Sequence, residues 1–176
     1  MSGGAPSGVR FRRPTEADHG PIVRLVDEWW GGRRMSGLLQ RMWFQHFTGT
    51  SWIAEDDAGR LLGFLIGFIS PDDPEVGYVK MIATNPNRRR RGLGAALYRQ
   101  FFDDVGGRGV RQVMAITWPG NRASVAFHRS VGFRLTDGPK TQNLYGSPAF
   151  ADYDGDGEDR VLFIRELDRQ DAPTDP

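Results

Sequence analysis

The chain has 176 residues, a formal charge of +1, 39% hydrophobic residues and no cysteine. That is one domain's length with enough apolar and aromatic residues for a sizeable core, which excludes a disordered chain or a disulfide-stapled miniprotein. The missing cysteine removes thiolate nucleophiles and Cys-based zinc sites, the 3 histidines leave little for another metal site, and the near-zero charge argues against a polyanion binder.

No apolar run approaches the ~18 residues of a membrane span. The best, Leu61 to Ile69, is interrupted by Gly63 and Gly67. Residues 1–8 lack the basic and apolar regions of a secretory signal, so the expectation is a soluble cytoplasmic protein with no membrane partner. Residues 1–8 and 168–176 are small, polar and Pro-containing, and are expected to be flexible tails on a single domain over 9–167.

Within that domain the elements alternate. Val9 to Arg12 reads as a short strand. Pro14-Thr15-Glu16-Ala17-Asp18 starts a helix, with Thr15 as N-cap and Asp18 completing a capping box. Ile22, Val23, Val26 and Trp29 follow at helical spacing, and Gly31-Gly32 ends the run. A second helix is expected over Met35 to Phe47. Ser51 to Glu55, Leu61 to Ser70 and Val76 to Thr84 read as strands, the middle one apolar enough for burial on both faces. Leu93, Leu97, Phe101 and Val105 mark a helix from about Gly92 to Val105. Val110 to Thr117 is a strand, Ala123 to Val131 a short helix, and Phe133 to Leu135 begins another strand. Asp137 to Asp159 reads as loop, and Arg160 to Leu167 as the last strand. The order describes a mixed α/β domain, one layer of sheet with helices packed on it.

The chemistry concentrates in Lys80 to Leu97. A strand ends, four consecutive arginines (88–91) follow, and Gly92 and Gly94 open a helix. A helix start offers unpaired N–H groups and a positive dipole end, and glycines admit a ligand's close approach, so the segment reads as an anion cradle suited to phosphate. The competing reading is a solvated basic run with spacer glycines. No Lys-Ser/Thr follows the second glycine, so it is not a Walker loop, and the third glycine of a dinucleotide fingerprint is missing. Downstream, Asn121, His128 and Gly132-Phe133 place Asn121 and His128 at opposite ends of one short helix. The plain alternative is that Asn121 caps that helix and His128 packs.

Together these two segments resemble the GNAT superfamily of N-acetyltransferases. Its coenzyme A loop, Arg/Gln-x-x-Gly-x-Gly/Ala, matches Arg89-Arg90-Arg91-Gly92-Leu93-Gly94, with Pro86 upstream. Its later Asn, aromatic acid and Gly-Phe pattern matches Asn121, His128 and Gly132-Phe133, with His128 in place of the usual Tyr. The resemblance implies a GNAT-like fold: a central mixed, mostly antiparallel sheet of about six to seven strands, one splayed pair and about four flanking helices. It implies acetyl-CoA as co-substrate, no metal and an amine-bearing acceptor, and makes a homodimer an expectation. Ile82, Ala83 and Thr84 would pair with the pantetheine arm like an added strand. Arg89, Arg90, Arg91, Gly92, Leu93, Gly94 and Ala95 would hold the pyrophosphate, and Asn121 the pantetheine.

The family's Tyr serves the departing thiolate. His128, mostly neutral near its ordinary pKa of ~6.5, is expected there either as the acid or as a lining residue. The base is unassigned. Ile116 and Lys80 stand near positions where family members carry Glu; Tyr78 and Glu75 lie earlier on the strand, Glu28 on the first helix, and a water path is the further alternative. Period-two alternation would put Tyr78, Lys80 and Ile82 on one face, so Tyr78 joins His128 as a candidate catalytic residue. Trp29-Trp30, Arg33-Arg34 and Trp43 to Phe47 fall where the family builds its acceptor wall; most of these rings are expected to pack as core, and some to serve both roles. The acidic run Asp152 to Asp159 lacks the Glu of a calcium loop and reads as a polar turn, or as an acidic lip for a cationic amine. Two rival functions are a non-catalytic coenzyme A-binding regulatory domain and a nucleic-acid-binding module. The acidic segments count against the second, so no nucleic acid partner is expected.

Overall fold

The computed structural model describes residues 6–88 and 92–167. Of the expected tails, residues 6–8 turn into the first strand, and 1–5 and 168–176 lie outside the described residues. In chain order the elements are β1 (Val9–Arg12), α1 (His19–Trp29), α2 (Trp43–His46), β2 (Trp52–Asp56), β3 (Leu61–Ile69) and β4 (Val76–Thr84). Then follow α3 (Leu93–Gly106), β5 (Gln112–Thr117), α4 (Arg122–Ser130), β6 (Arg134–Leu135), β7 (Gln142–Leu144), β8 (Ser147–Ala149) and β9 (Val161–Glu166). A 7-stranded sheet has the order β1-β2-β3-β4-β5-β9-β6, and β7-β8 form a separate hairpin. Every neighbouring pair in the large sheet is antiparallel except β4 and β5.

The sheet separates two cores, and β3 supplies both. Leu62 and Leu65 join the cluster under α3 and α4, while Phe64 and Ile66 join the one under α1 and α2. Burial on both faces is what its near-continuous apolar run predicts. The α3 stripe also holds: Leu93, Leu97, Phe101 and Val105 are all buried, and Tyr98 and Phe102 widen it.

At the start of the first helix, the Asp18 carboxylate accepts the Thr15 N–H at 2.7 Å. The first turn, Glu16–Asp18, is a 3-10 turn, and α1 runs on from it. Asp18 also takes the Arg12 guanidinium through two bonds at 2.8 and 2.7 Å, tying β1 to this cap.

Three expectations need correction. The helix expected over Met35 to Phe47 is a 3-10 turn, Ser36–Leu38, followed by the short α2. Asp27 gathers the N–H groups of Met35 and Ser36 at 2.7 Å each, and His19 Nε2 donates to the Leu39 carbonyl at 3.0 Å. These bonds divert the groups a continuous helix would pair internally. The loop expected over Asp137 to Asp159 contains the β7–β8 hairpin, turned by Tyr145-Gly146 with φ of 54° and 84°. These are the positive φ values of a two-residue primed turn.

The third correction concerns β4. Ile66 pairs with Met81 but Gly67 pairs with Val79, so Lys80 is an extra residue, a β-bulge. The bulge reverses which residues share a face. Val79 and Ile82 pack toward α3, whereas Met81 and Ala83 pack toward α1. Tyr78 stacks on Phe68 at 5.5 Å, within an aromatic group that includes Trp43 and Phe47, and Lys80 Nζ lies 5.9 Å from the Trp43 ring. Tyr78 and Lys80 therefore face α2, and Ile82 does not join them.

Candidate active site

The parallel seam is short. The β4–β5 register runs from Val76↔Gln112 to Val79↔Ala115 and stops. Beyond it, Lys80 to Thr84 has β3 on one side and no strand on the other, while Ile116 and Thr117 pair only with β9. The sheet opens there into a cleft of about 780 Å³. Its walls are the Val79–Thr84 edge, the end of β5, one side of α4 (Ala123, Ser124, Phe127 and His128), the α1–α2 connection and the acidic loop before β9.

Of the expected cofactor residues, Ile82, Ala83, Thr84, Gly94 and Asn121 line this cleft. Arg89, Arg90 and Arg91 lie outside the described residues. Gly92 is the N-cap of α3 with φ of 82°, the left-handed region that glycine enters without strain. The next N–H groups belong to Leu93, Gly94 and Ala95, and a helix leaves its first N–H groups without internal partners. Gly94 also meets a packing need, beside the expected ligand contact. A Cβ there would stand 2.8 Å from Phe127 Cζ, so the missing side chain lets α4 approach α3. Leu93 is a core residue.

Asn121 caps α4, its Oδ1 accepting the Ser124 N–H at 3.1 Å, while the residue also lines the cleft. His128 is buried, its ring stacked on Phe163 at 4.3 Å and 3°. Its Nδ1 lies 2.8 Å from the Ser124 carbonyl, which can only accept, so Nδ1 carries the proton. Nε2 is then the acceptor, and takes the Tyr98 hydroxyl at 2.8 Å. Burial pulls the His128 pKa down to about 4, against the opposing bond to Ser124. His128 lines the cleft, and a neutral ring with its one N–H committed to a carbonyl fits the expected lining role. His128→Phe is expected to keep kcat within about fivefold of wild type in a steady-state assay, where loss of a general acid would cost roughly 10²–10⁴-fold.

Tyr78, the other catalytic candidate, is placed differently. It is absent from the cleft wall, and burial first, then Tyr153 and Asp154, push its phenol up to about 12. A phenol shifted in this direction is protonated at neutral pH. Glu28 and Glu75 do not line the cleft either, whereas Ile116 and Lys80 do.

The acceptor side is polar and aromatic. Trp29 and Trp30 line the cleft and also pack on the α1 core, so they serve both expected roles. Arg33 lies over Trp118 at 5.6 Å, and Trp118 meets Tyr145 of the hairpin tip at 5.4 Å. Asp154 and Glu158 reach the cleft wall, each paired with Arg160 at 2.7 and 2.6 Å. The acidic run is thus a lip of the site, held by a cation from the start of the last strand. Sequence reasoning missed Tyr98 and Arg160. Tyr98 was visible as a member of the widened α3 stripe, whereas nothing in the spacing singled out Arg160.

A strand edge left open at the sheet's one parallel seam, beside the N-terminus of α3, suits an extended ligand with an anionic end. Residues 21–133 match the family model described as "Acetyltransferase (GNAT) family". The L-2,4-diaminobutyric acid acetyltransferase of Nocardia farcinica is 35% identical over 142 residues, which is 81% of this chain and 73% of that protein. A solved diaminobutyrate acetyltransferase from Paenibacillus lautus, in complex with L-2,4-diaminobutyric acid and coenzyme A, has a TM-score of 0.62 at 24% identity, covering 90% of this chain and 94% of its own. Ard1 from Thermoplasma volcanium has a TM-score of 0.72 at 17% identity, covering 91% and 98%. These two structures establish the fold. The chain belongs to the GNAT acetyltransferase family. It is an acetyl-CoA-dependent N-acetyltransferase acting on an amine-bearing acceptor, and the catalytic reading prevails over a non-catalytic coenzyme A-binding domain. Among the described residues no helix is long and apolar enough to cross a membrane.

Proposed function

We propose that this enzyme acetylates a short diamino acid, with L-2,4-diaminobutyrate as the acceptor. One observation carries the reading: the acceptor side of a single cleft presents both the carboxylates Asp154 and Glu158, which share Arg160, and the further cations Lys80, Arg33 and Arg34. A simple amine needs only the first set, and a simple acid only the second. A zwitterion with a second ammonium uses both. The names of the Nocardia relative and of the Paenibacillus structure support the same acceptor.

Acetyl-CoA supplies an activated acetyl group on a thiol leaving group. The open Ile82–Thr84 edge would take the pantetheine amides, with Asn121 across from it, and the N–H groups of Leu93, Gly94 and Ala95 after the Gly92 turn would face the pyrophosphate. The acceptor nitrogen attacks as the neutral amine. Its C–N bond forms as the C–S bond breaks, and the nitrogen's proton passes through water to the departing coenzyme A thiolate. Asp154 and Glu158 would hold the ammonium that does not react. No side-chain acid is required, consistent with the commitment of His128.

Gly94→Val is expected to lower stability by about 1–3 kcal/mol through overpacking on Phe127. It should also raise the KM for acetyl-CoA far more than it changes kcat. Denaturant melts and steady-state kinetics check both parts. Calorimetry on the coenzyme A-saturated protein tests the acceptor. Saturable heat is expected with L-2,4-diaminobutyrate and not with 2-aminobutyrate. Equal binding of both would remove the acidic lip from recognition, and binding of neither would overturn the reading.

A further inference from the structure

We propose that Lys80 is the specificity-determining residue that receives the acceptor's carboxylate. The inference deepens the diamino-acid reading and rests on it.

Lys80 occupies the apex of the splay. Val79, just before it, is the last β4 residue paired on both sides, with Gly67 and with Ala115. Lys80 itself opposes no residue on either neighbour, because it is the bulged residue toward β3 and the first past the end of the β5 ladder. Bulges beside active sites re-aim side chains. Here the bulge sends Lys80 toward the face that carries Trp43, and the residue lines the cleft.

Its charge is the second part of the argument. Arg12, Arg41, Arg60, Arg108 and Arg160 all have carboxylate partners within 3.0 Å. Lys80 has no ion pair among the described residues, and its Nζ lies over the Trp43 ring at 5.9 Å. A half-buried ammonium turned into a cleft is costly unless an anion completes it, and the acceptor's carboxylate is the anion available at that point. Arg33 and Arg34 are exposed on the α1–α2 connection, and Arg33 is engaged over Trp118, so they stand at the rim. Lys80 sits where the opened strands begin, nearest the seam. A cation there also repels diamines that lack a carboxylate, so it selects by attraction and by repulsion.

The test compares kcat/KM for L-2,4-diaminobutyrate with that for 1,3-diaminopropane, which keeps both amines and lacks the carboxylate. Wild type, Lys80→Met and Lys80→Arg are assayed as the full chain, with unfolding transitions as the check on folding. Wild type should prefer the amino acid. Lys80→Met should lower kcat/KM for diaminobutyrate about 10- to 100-fold, through KM, and leave diaminopropane unchanged or faster. Lys80→Arg should restore most of the preference. Equal losses on both acceptors, or no loss on either, would overturn the role of Lys80 while leaving the diamino-acid reading intact. A wild type that turns over neither compound would overturn that reading and this inference with it.

Discussion

Tyr98→Ala is expected to cost about 3–5 kcal/mol of folding stability, the range for deleting a fully buried aromatic ring. Tyr98 is buried completely and packs against Phe102 at 5.1 Å, Phe133 at 5.3 Å and Phe127 at 5.9 Å. Those rings come from α3 itself, the strand-6 entry and α4, so the cavity would open at the junction that sets α4 against α3. The substitution also strips the donor from His128 Nε2. Tyr98→Phe separates the two contributions. It keeps the ring and loses only the hydroxyl, and should cost about 1–3 kcal/mol for a buried acceptor left unsatisfied. The Tyr98→Phe, His128→Phe double variant should recover part of that loss, because both partners of the bond are then apolar. Urea denaturation of the four proteins measures the set. A Tyr98→Phe variant as stable as wild type would contradict the assigned bond.

The second large effect is a pH dependence. Burial lowers the folded-state pKa of His128 to about 4, while an unfolded histidine titrates near ~6.5. Below ~6.5 the unfolded chain takes up a proton that the folded chain excludes. Stability therefore falls as pH drops through the window from ~6.5 to ~4, by roughly 3 kcal/mol across it, and is flat above the window as far as this group is concerned. Asp18 acts lower. Desolvation raises its pKa, but the Arg12 and Thr15 bonds outweigh it and hold the net value below the ordinary one, so its contribution is lost only as pH falls beneath ~3.9. The two groups thus separate on the pH axis. In His128→Phe the slope between ~6.5 and ~4 should disappear while the lower one remains. Denaturant midpoints at stepped pH decide it, and an unchanged slope in the variant would place the titrating group elsewhere.

Much of this architecture is legible in the chain because burial leaves a periodic trace. The α3 stripe, the two-faced β3 and the Gly92 turn all follow from spacing alone. Asn121 and His128 were placed correctly on one helix, yet their surroundings were not readable. The hydroxyl that engages His128 comes from Tyr98, 30 residues earlier on α3. The β4 bulge is hidden for another reason. Burial alternates without a break through Gly77, Val79, Met81 and Ala83, so the sequence pattern resembles an unbroken strand. Only the pairing with Gly67 shows that Lys80 is supernumerary. That single residue moves Tyr78 away from Ile82 and changes which side chains share a face of the sheet. The break in the Met35–Phe47 helix is likewise set by distant groups, Asp27 and His19.

The most direct test of the acceptor assignment is turnover of L-2,4-diaminobutyrate with acetyl-CoA, following coenzyme A release and identifying the product by mass spectrometry. The proposed acceptor predicts stoichiometric coenzyme A and a mono-acetylated diamino acid, with a higher kcat/KM than for 2-aminobutyrate or 1,3-diaminopropane. Coenzyme A release no faster with diaminobutyrate than with those two amines would contradict it.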